Sequence, residues 1–598
     1  MRWRCCRIKP DGSLAMPEAS LSAHGANGAP GPWADKPSGR WRHAIARWRT
    51  SALEQPYWTA IALLLAALIV LPVAAIVLLA VSSTNNEWPH LVSSVLPVTA
   101  WSTLLLVTGT AAVTLTIGTA TAWLVTMYRF PGRTLLDRLL VLPLAIPTYI
   151  VAYCYVEILD YGGPVQSAVR AAGGYAGPRD YWFPDIRSPG GAIAVLSAVL
   201  YPYVYLTARA SFVQQSMCVL EVARTLGQTS LGAFWRVALP LARPALAAGG
   251  ALVAMEVLND LGAVQYLGVE TLSVSIYVTW LQRANLAGAT QIALLGLFAV
   301  ALVLIIEHAA RGDSRFHHTT GRYRAIPFQD IEGVWGYVAA FACALPVVMG
   351  FFLPVAVLLR HAFAHSGSAF DDGFVMAALN SVLVASVVAA VAVALALMLA
   401  YAARVTGRGA VTAANRVAGM GYALPGTVLA IGVLIPFAAF DNWVDAIARD
   451  RFSVSTGLIL SGTLVALVFA LTTRFLTVAL GNIEAGFQKV SPNLDAAART
   501  LGETPFRVLH RVHLPLLVPA MGAAGLLVFV DTMKELPATL LLRPFNFDTL
   551  ATHVYGLTAL EQFERAALGA LAIVAAGLVP VLVLHRTVAG SRPGSGSG

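Results

Sequence analysis

Lysine is nearly missing from this chain of 598 residues: Lys9, Lys36, Lys489 and Lys534 are all it has. A phosphate-cradling P-loop needs Gly-Lys followed by Ser or Thr, and none of the four lysines follows a glycine. The chain is therefore not expected to hydrolyse ATP itself. Cysteine is almost as scarce, with five residues. Cys5 and Cys6 are adjacent, Cys154 and Cys343 fall in apolar stretches, and Cys218 falls in a connection. No pair has metal-ligand spacing, and no disulfide framework is expected. Charge is thin as well: 12% of residues are charged, against roughly 25% in soluble globular domains. No apolar core precedes residue 57, so no signal peptide is expected.

Apolar residues fill the space, at 57% of the chain, with a mean hydropathy of +0.70. They come in runs such as "YWTAIALLLAALIVLPVAAIVLLAV" from Tyr57 and "SVLVASVVAAVAVALALMLAYAA" from Ser381. Each is long enough to cross about 30 Å of hydrocarbon at about 1.5 Å per helical residue. The chain reads as an all-α polytopic membrane protein. Twelve spans are predicted, near 57–82, 98–128, 139–160, 191–213, 244–266, 286–307, 333–360, 377–403, 417–440, 456–474, 517–540 and 566–586.

The net charge of +9 reads as topology rather than as a nucleic-acid surface. Nine basic residues precede the first span, from Arg2 to Arg49. Arg129, Arg133 and Arg138 follow the second, Arg311, Arg315, Arg322 and Arg324 the sixth, and Arg404, Arg408 and Arg416 the eighth. The alternate connections "SSTNNEWPHL" and "HSGSAFDDGF" carry no Lys or Arg. Basic loops stay in the cytoplasm, which predicts that both termini lie there. The expected layout is a basic arm over 1–55, a first half over 56–310, a linker over 311–331, a second half over 332–587 and a tail over 588–598.

The halves repeat one another. "EVARTLGQTSLGAFWRVALP" at 221–240 and "AAARTLGETPFRVLHRVHLP" at 496–515 agree in ten of twenty columns. "LPV" at 71–73 returns at 345–347, and "AIPTYIVAY" at 145–153 is echoed by "ALPGTVLAI" at 423–431. The repeated segments lie in connections expected over 214–243 and 475–516. Six spans separate them, so both face the same side. Each copy turns at a glycine, Gly227 or Gly502, where the missing Cβ tolerates unusual φ. Each then meets Leu-Pro, Leu239-Pro240 or Leu514-Pro515, and proline suits the first turn of a helix. Two such copies on one face suit a partner that is itself twofold.

The fifth and eleventh spans carry a second duplicated feature. Glu256 and Asp260 are four residues apart, and a shift of 275 lands on Asp531 and Glu535. This spacing predicts that each pair shares one helix face, about 18–24 Å along the helix from its cytoplasmic end. Carboxylates at such depth usually line a bundle interior or a watered path, and hard oxygen ligands suit a trivalent cation. The alternative is that they pair with Lys534, Arg543 or backbone donors and only hold a gate. Tyr149, Tyr153, Tyr201 and Tyr203 either add phenolic oxygens to the path or serve packing.

The duplicated segment, with its E-A-A, three residues, Gly, nine residues, I-x-L-P pattern, resembles the membrane subunits of binding-protein-dependent ABC importers. Glu221, Ala223, Gly227, Val237, Leu239 and Pro240 match it, as do Ala497, Ala498, Gly502, Val512, Leu514 and Pro515. Ala496 stands where the acidic residue belongs, with Asp495 one position earlier. The resemblance implies two tandem six-helix type I permease domains, each with a coupling helix seated in an ATPase subunit. It also implies two such ATPase copies, which hold the ATP and magnesium, while this chain binds no cofactor.

Fused halves resemble the ferric-iron permeases in particular, across roughly 55–586 and most densely in "LPLAIPTYIVAYCY", "YPYVYLTARASF", "NDLGAVQYLGV" and "DTMKELPATLLLRPFNFDTLAT". The implied cargo is ferric iron from a periplasmic binding protein, moved by alternating access, with no stable metal site. Thiamine, a phosphonate or a polyamine would suit the same machine, and an anionic cargo predicts basic residues in the path. An ion-coupled secondary transporter also has helical repeats, but it needs no duplicated docking segment.

Overall fold

The computed structural model describes residues 56–82, 88–215, 225, 227–311, 329–364, 372–407 and 409–589. The basic arm, most of the linker, the end of the tail, and Glu221 and Ala223 lie outside the described residues. Among the described residues eleven helices are long and apolar enough to span a membrane, and a sharply bent pair makes a twelfth. In chain order they are α1 (Pro56–Ser82), α2 (Trp88–Met127), the bent α3 (Arg133–Ala145 with Thr148–Gly173), α4 (Pro189–Val213), α5 (Leu231–Asn259), α6 (Leu286–Ala310), α7 (Val334–Ala364), α8 (Asp372–Thr406), α9 (Gly426–Phe452), α10 (Leu464–Gln488), α11 (Pro505–Met533) and α12 (Phe563–Leu582). Among the described residues the only sheet is a two-residue pairing of Tyr128–Arg129 with Gln329–Asp330.

Prolines decide where the helices break. The two parts of α3 meet at 95°, because Pro147 pushes Ile146 out of the helical region to φ −100°, ψ 126°. Pro425 repeats this break ahead of α9, with a φ of −58° and a ψ of 140° that match −59° and 142° at Pro147. Four other Leu-Pro steps behave differently. At Leu96, Leu239, Leu353 and Leu514 the amide reaches the carbonyl five residues back, one residue wider than an α-turn. The next residue is proline each time, whose ring crowds the carbonyl four back in a regular helix. The wider turn relieves that clash, and the helix continues. So α5 and α11 begin at Leu231 and Pro505, several residues before the Leu-Pro steps expected to open them.

Several spans differ from the expected limits: the second, third and ninth, expected over 98–128, 139–160 and 417–440, run over Trp88–Met127, Arg133–Ala145 with Thr148–Gly173, and Gly426–Phe452. The predicted fifth and eleventh spans stop short, at Asn259 and Met533. The tenth runs on to Gln488, well past the boundary expected at 474. Arg474 read as the end of that span, yet it lies inside α10 and is 4% exposed. The connection after α10 is therefore 489–504, shorter than the expected 475–516.

Each half lends its first helix to the other. α1 packs against α6, α8, α9 and the short helix Gly409–Ala418, while α7 packs against α2, α3, α4 and α12. Glycines make the closest crossings possible. A Cβ on Gly432 would sit 2.6 Å from the Pro72 carbonyl oxygen, and one on Gly350 would sit 2.1 Å from that of Ala198. Large apolar side chains such as Leu64, Leu78, Phe298, Phe341 and Leu379 stay exposed on the perimeter, as hydrocarbon permits.

Candidate functional site

Gly227 and Gly502 are separated by the six spans α5 to α10, so the two repeated segments reach the same side of the bundle. The count does not involve the bent α3. Both glycines are left-handed, with φ +82° and +79°, and nothing lies within 4 Å of a Cβ at either. Backbone strain alone therefore disfavours a side chain there. Large apolar groups stand exposed beside both turns: Leu231 and Trp235 in the first copy, Leu501 and Phe506 in the second. Exposed apolar groups of this kind mark interaction surfaces.

The second segment forms a helix, Pro492–Thr500, and is tied down. Asp495 accepts a 2.8 Å bond from Arg404 Nε through one oxygen and meets His513 Nε2 at 2.5 Å through the other. Arg404 also donates to the Phe487 and Val490 carbonyls, at 2.9 and 3.0 Å. The Tyr401 hydroxyl donates to the Pro505 carbonyl at 2.5 Å, and the Tyr401 and Phe487 rings flank His513 at 5.6 and 5.4 Å. Ala498 is buried beneath. Asp495 thus forms its ion pair within the chain. Thr103 and Ser381 accept equivalent bonds from the Leu272 and Leu550 amides, which sets the α2-to-α8 shift at 278. That shift puts Thr126 at the place of Arg404, and the shift of 275 puts Ala238 at that of His513. The first segment lacks the clamp at those two positions. There, Gln215 Nε2 donates to the Ala238 carbonyl at 2.9 Å.

Where α5 and α11 end, the two halves meet around a cavity of about 100 Å³. All four predicted carboxylates line it, with Tyr149 and Tyr203. The carboxylates do not share single helix faces as their spacing predicted, because the helices break between the members of each pair. Asp260 has extended backbone at φ −66°, ψ 128°. It caps the short helix Gly262–Tyr266, accepting from the Ala263 and Val264 amides at 2.9 and 3.3 Å and from the Thr148 hydroxyl. Glu535 caps Pro537–Leu542 in the same way, accepting from the Ala538 and Thr539 amides at 2.9 and 3.0 Å and from the Thr539 hydroxyl at 2.6 Å. Both are committed to backbone donors left open at a helix start. Glu256 and Asp531 remain on the spans proper. Glu256 accepts from the Tyr422 hydroxyl at 2.7 Å, and Asp531 pairs with Lys534 Nζ at 2.9 Å.

Two of the four tyrosines are elsewhere. Tyr201 and Tyr203 are two positions apart, about 200° around a helix. Tyr203 therefore faces the cavity while Tyr201 is fully buried in the core. Tyr153 sits one turn beyond Tyr149, packed on the Tyr266 ring at 4.5 Å and lining a separate space of about 20 Å³ beside Glu157 and His361. Among the described residues no three His, Cys, Asp or Glu side chains converge closely enough to hold a metal ion.

Arg474, Tyr422 and Asn259 also belong to the cavity. Arg474 Nη1 donates to Asn259 Oδ1 at 2.7 Å, and the Gly426 amide donates to the same oxygen at 2.7 Å. The guanidinium lies 5.9 and 5.8 Å from the Tyr422 and Phe475 rings, within cation–π range. A lone charge inside an apolar run was the available signal for Arg474. Tyr422 and Asn259 had none.

Comparison with known proteins fits this geometry. The family described as "Binding-protein-dependent transport system inner membrane component" matches residues 112–311. The Fe(3+)-transport system permease protein of Haemophilus influenzae is 25% identical over 81% of this chain and 89% of its own. The sulfate transport system permease protein of Salmonella typhimurium is 30% identical over 40% of this chain and 84% of its own. A putative 2-aminoethylphosphonate transport system permease protein of Salmonella choleraesuis is 29% identical over 40% and 87%. The last two correspond to less than half of this chain, as single permease units would, whereas the first runs through both halves. The chain belongs to the binding-protein-dependent ABC importer permeases of the inner membrane, as a fused two-half member resembling the ferric-transport permeases.

Proposed function

We propose that this permease carries ferric iron, received from a periplasmic binding protein, through the cavity between its halves. The carrying observation is the charge of that cavity: four carboxylates against two cationic side chains, Arg474 and Lys534. The excess is negative, in surroundings where charge is weakly screened. Asp260 and Glu535 hold the walls as caps, leaving Glu256 and Asp531 to meet cargo. Such contacts must be weak enough to let go, as in any conducting path. The termini and both repeated segments face the cytoplasm, following the basic arm and connections. Two ATPase subunits seat on Gly227 and Gly502 and their flanking residues, and hold the ATP and magnesium.

A second reading has its own support. Arg474 and Lys534 are basic groups in the path, the feature an anionic cargo predicts, and relatives named for sulfate and phosphonate transport match 40% of the chain. Reconstituted vesicles holding the permease, its ATPase and a loaded binding protein separate the two. Radiolabelled ferric iron is expected to accumulate only with ATP inside the motor compartment, and excess sulfate is expected not to compete. Iron uptake driven by an ion gradient without ATP, or uptake of sulfate in place of iron, overturns the proposal.

A further inference from the structure

The polar contacts across the cavity are one-sided. Tyr422, Gly426 and Arg474 of the second half all donate to the first half, and they reach only two residues of α5, Glu256 and Asn259, each at 2.7 Å. The mirror contacts cannot form. A shift of 278 places Leu144 opposite Tyr422, and a shift of 275 places Val199 opposite Arg474 and Lys534 opposite Asn259. Leu144 and Val199 have no donor to give. Asp531 is held instead by Lys534, from its own half.

These contacts lie at the far end of α5 from its repeated segment. From Leu231 to Asn259 the helix runs roughly 40 Å at 1.5 Å per residue. They therefore close the part of the interface most remote from the motor side. The closure is also imperfectly satisfied. Arg474 is 4% exposed, yet its Nε has no hydrogen-bond partner among the described residues. Buried donors are nearly always paired, so one left open marks an arrangement that a second conformation can improve.

We infer that Tyr422 and Arg474 form a one-sided latch on Glu256 and Asn259. It holds the outer interface shut and occupies the oxygen atoms that an entering cation would use. Separation of the halves breaks all three bonds at once and frees the Glu256 carboxylate and the Asn259 carbonyl together. The release of these ligands rests on the cation reading above; the latch itself does not. Tyr422 and Arg474 are positioning residues, acting through α5.

The test is ATP hydrolysis by the assembled permease–ATPase complex in the absence of binding protein. Tyr422→Phe removes one bond to a charged acceptor and leaves the ring. Such a bond shifts an equilibrium by roughly tenfold or more, so basal hydrolysis is expected to rise at least severalfold. Asn259→Asp keeps the acceptor and gives Arg474 a charged partner, so basal hydrolysis is expected to fall below wild type. Tyr201→Phe, buried away from the cavity, is expected to change nothing. A merely structural role would not move the first two in opposite directions. Wild-type hydrolysis in Tyr422→Phe, or a rise in Asn259→Asp, overturns the latch. A wrong cargo assignment leaves a different trace: the hydrolysis pattern holds while neutralising Glu256 and Asp531 spares iron uptake.

Discussion

Ferric-iron uptake is expected to fall by roughly a hundredfold when Glu256→Gln and Asp531→Asn are combined, with the complex still assembled. Unit charges 4 Å apart interact by about 4 kcal/mol at an effective dielectric of 20, and about 1.4 kcal/mol is a factor of ten. Even when water in the cavity screens most of that, each lost charge is worth about tenfold to a multiply charged cation. The replacements preserve shape. The amide introduced at position 256 still offers an oxygen to the Tyr422 hydroxyl, and the one introduced at position 531 still turns an oxygen toward Lys534. The contrast with the outer acids is informative. Asp260→Ala and Glu535→Ala each remove a cap, costing about 1 kcal/mol of stability, and are expected to lower the melting temperature more than they slow transport. Radiolabelled uptake alongside thermal unfolding separates the two classes. Near-normal uptake in the Glu256/Asp531 double variant removes these residues from the path.

Arg404→Ala is expected to abolish ATP-driven uptake while leaving the cavity intact. Its guanidinium joins Asp495 to the carbonyls of Phe487 and Val490, so one side chain fixes the end of α10 to the second repeated segment. Arg404 and Asp495 are largely buried, 15% and 20% exposed. Removing Arg404 leaves the Asp495 carboxylate with His513 as its one remaining side-chain partner in the clamp, a loss of roughly 3 kcal/mol. Lysine is expected to rescue poorly, because a single ammonium cannot match the planar fork that reaches four acceptors, the Ser491 carbonyl being the fourth. Thermal unfolding together with ATPase co-purification checks this. Full co-purification and uptake in Arg404→Ala would leave the clamp without a role in coupling.

Much of the architecture was legible because membrane spans are long and uniform. The apolar runs from Tyr57 and Ser381 became α1 and α8 nearly as drawn. The repeated segment located both turns, since Gly227 and Gly502 have a φ that side chains disfavour. The breaks were hidden. An apolar window cannot register that Asp260 and Glu535 end one helix and begin another, so four-residue spacing suggested continuous faces. Arg474 misled for a related reason: a guanidinium in an apolar run resembles a span boundary until Asn259 and the Tyr422 ring are seen to receive it. Those partners lie 215 and 52 residues away in sequence, beyond any local pattern. The Arg404 clamp was read as a topological charge, and nothing local announced His513 as its companion. The exchange of α1 and α7 between halves left no sequence mark, because a helix apolar all round fits either neighbour.

Native mass spectrometry of the complex purified with its ATPase tests most directly whether two half-permeases share one chain and one motor face. One copy of this chain with two ATPase subunits is the expected mass. A complex with a single ATPase, or one whose two copies still bind after both repeated segments are deleted, would contradict it.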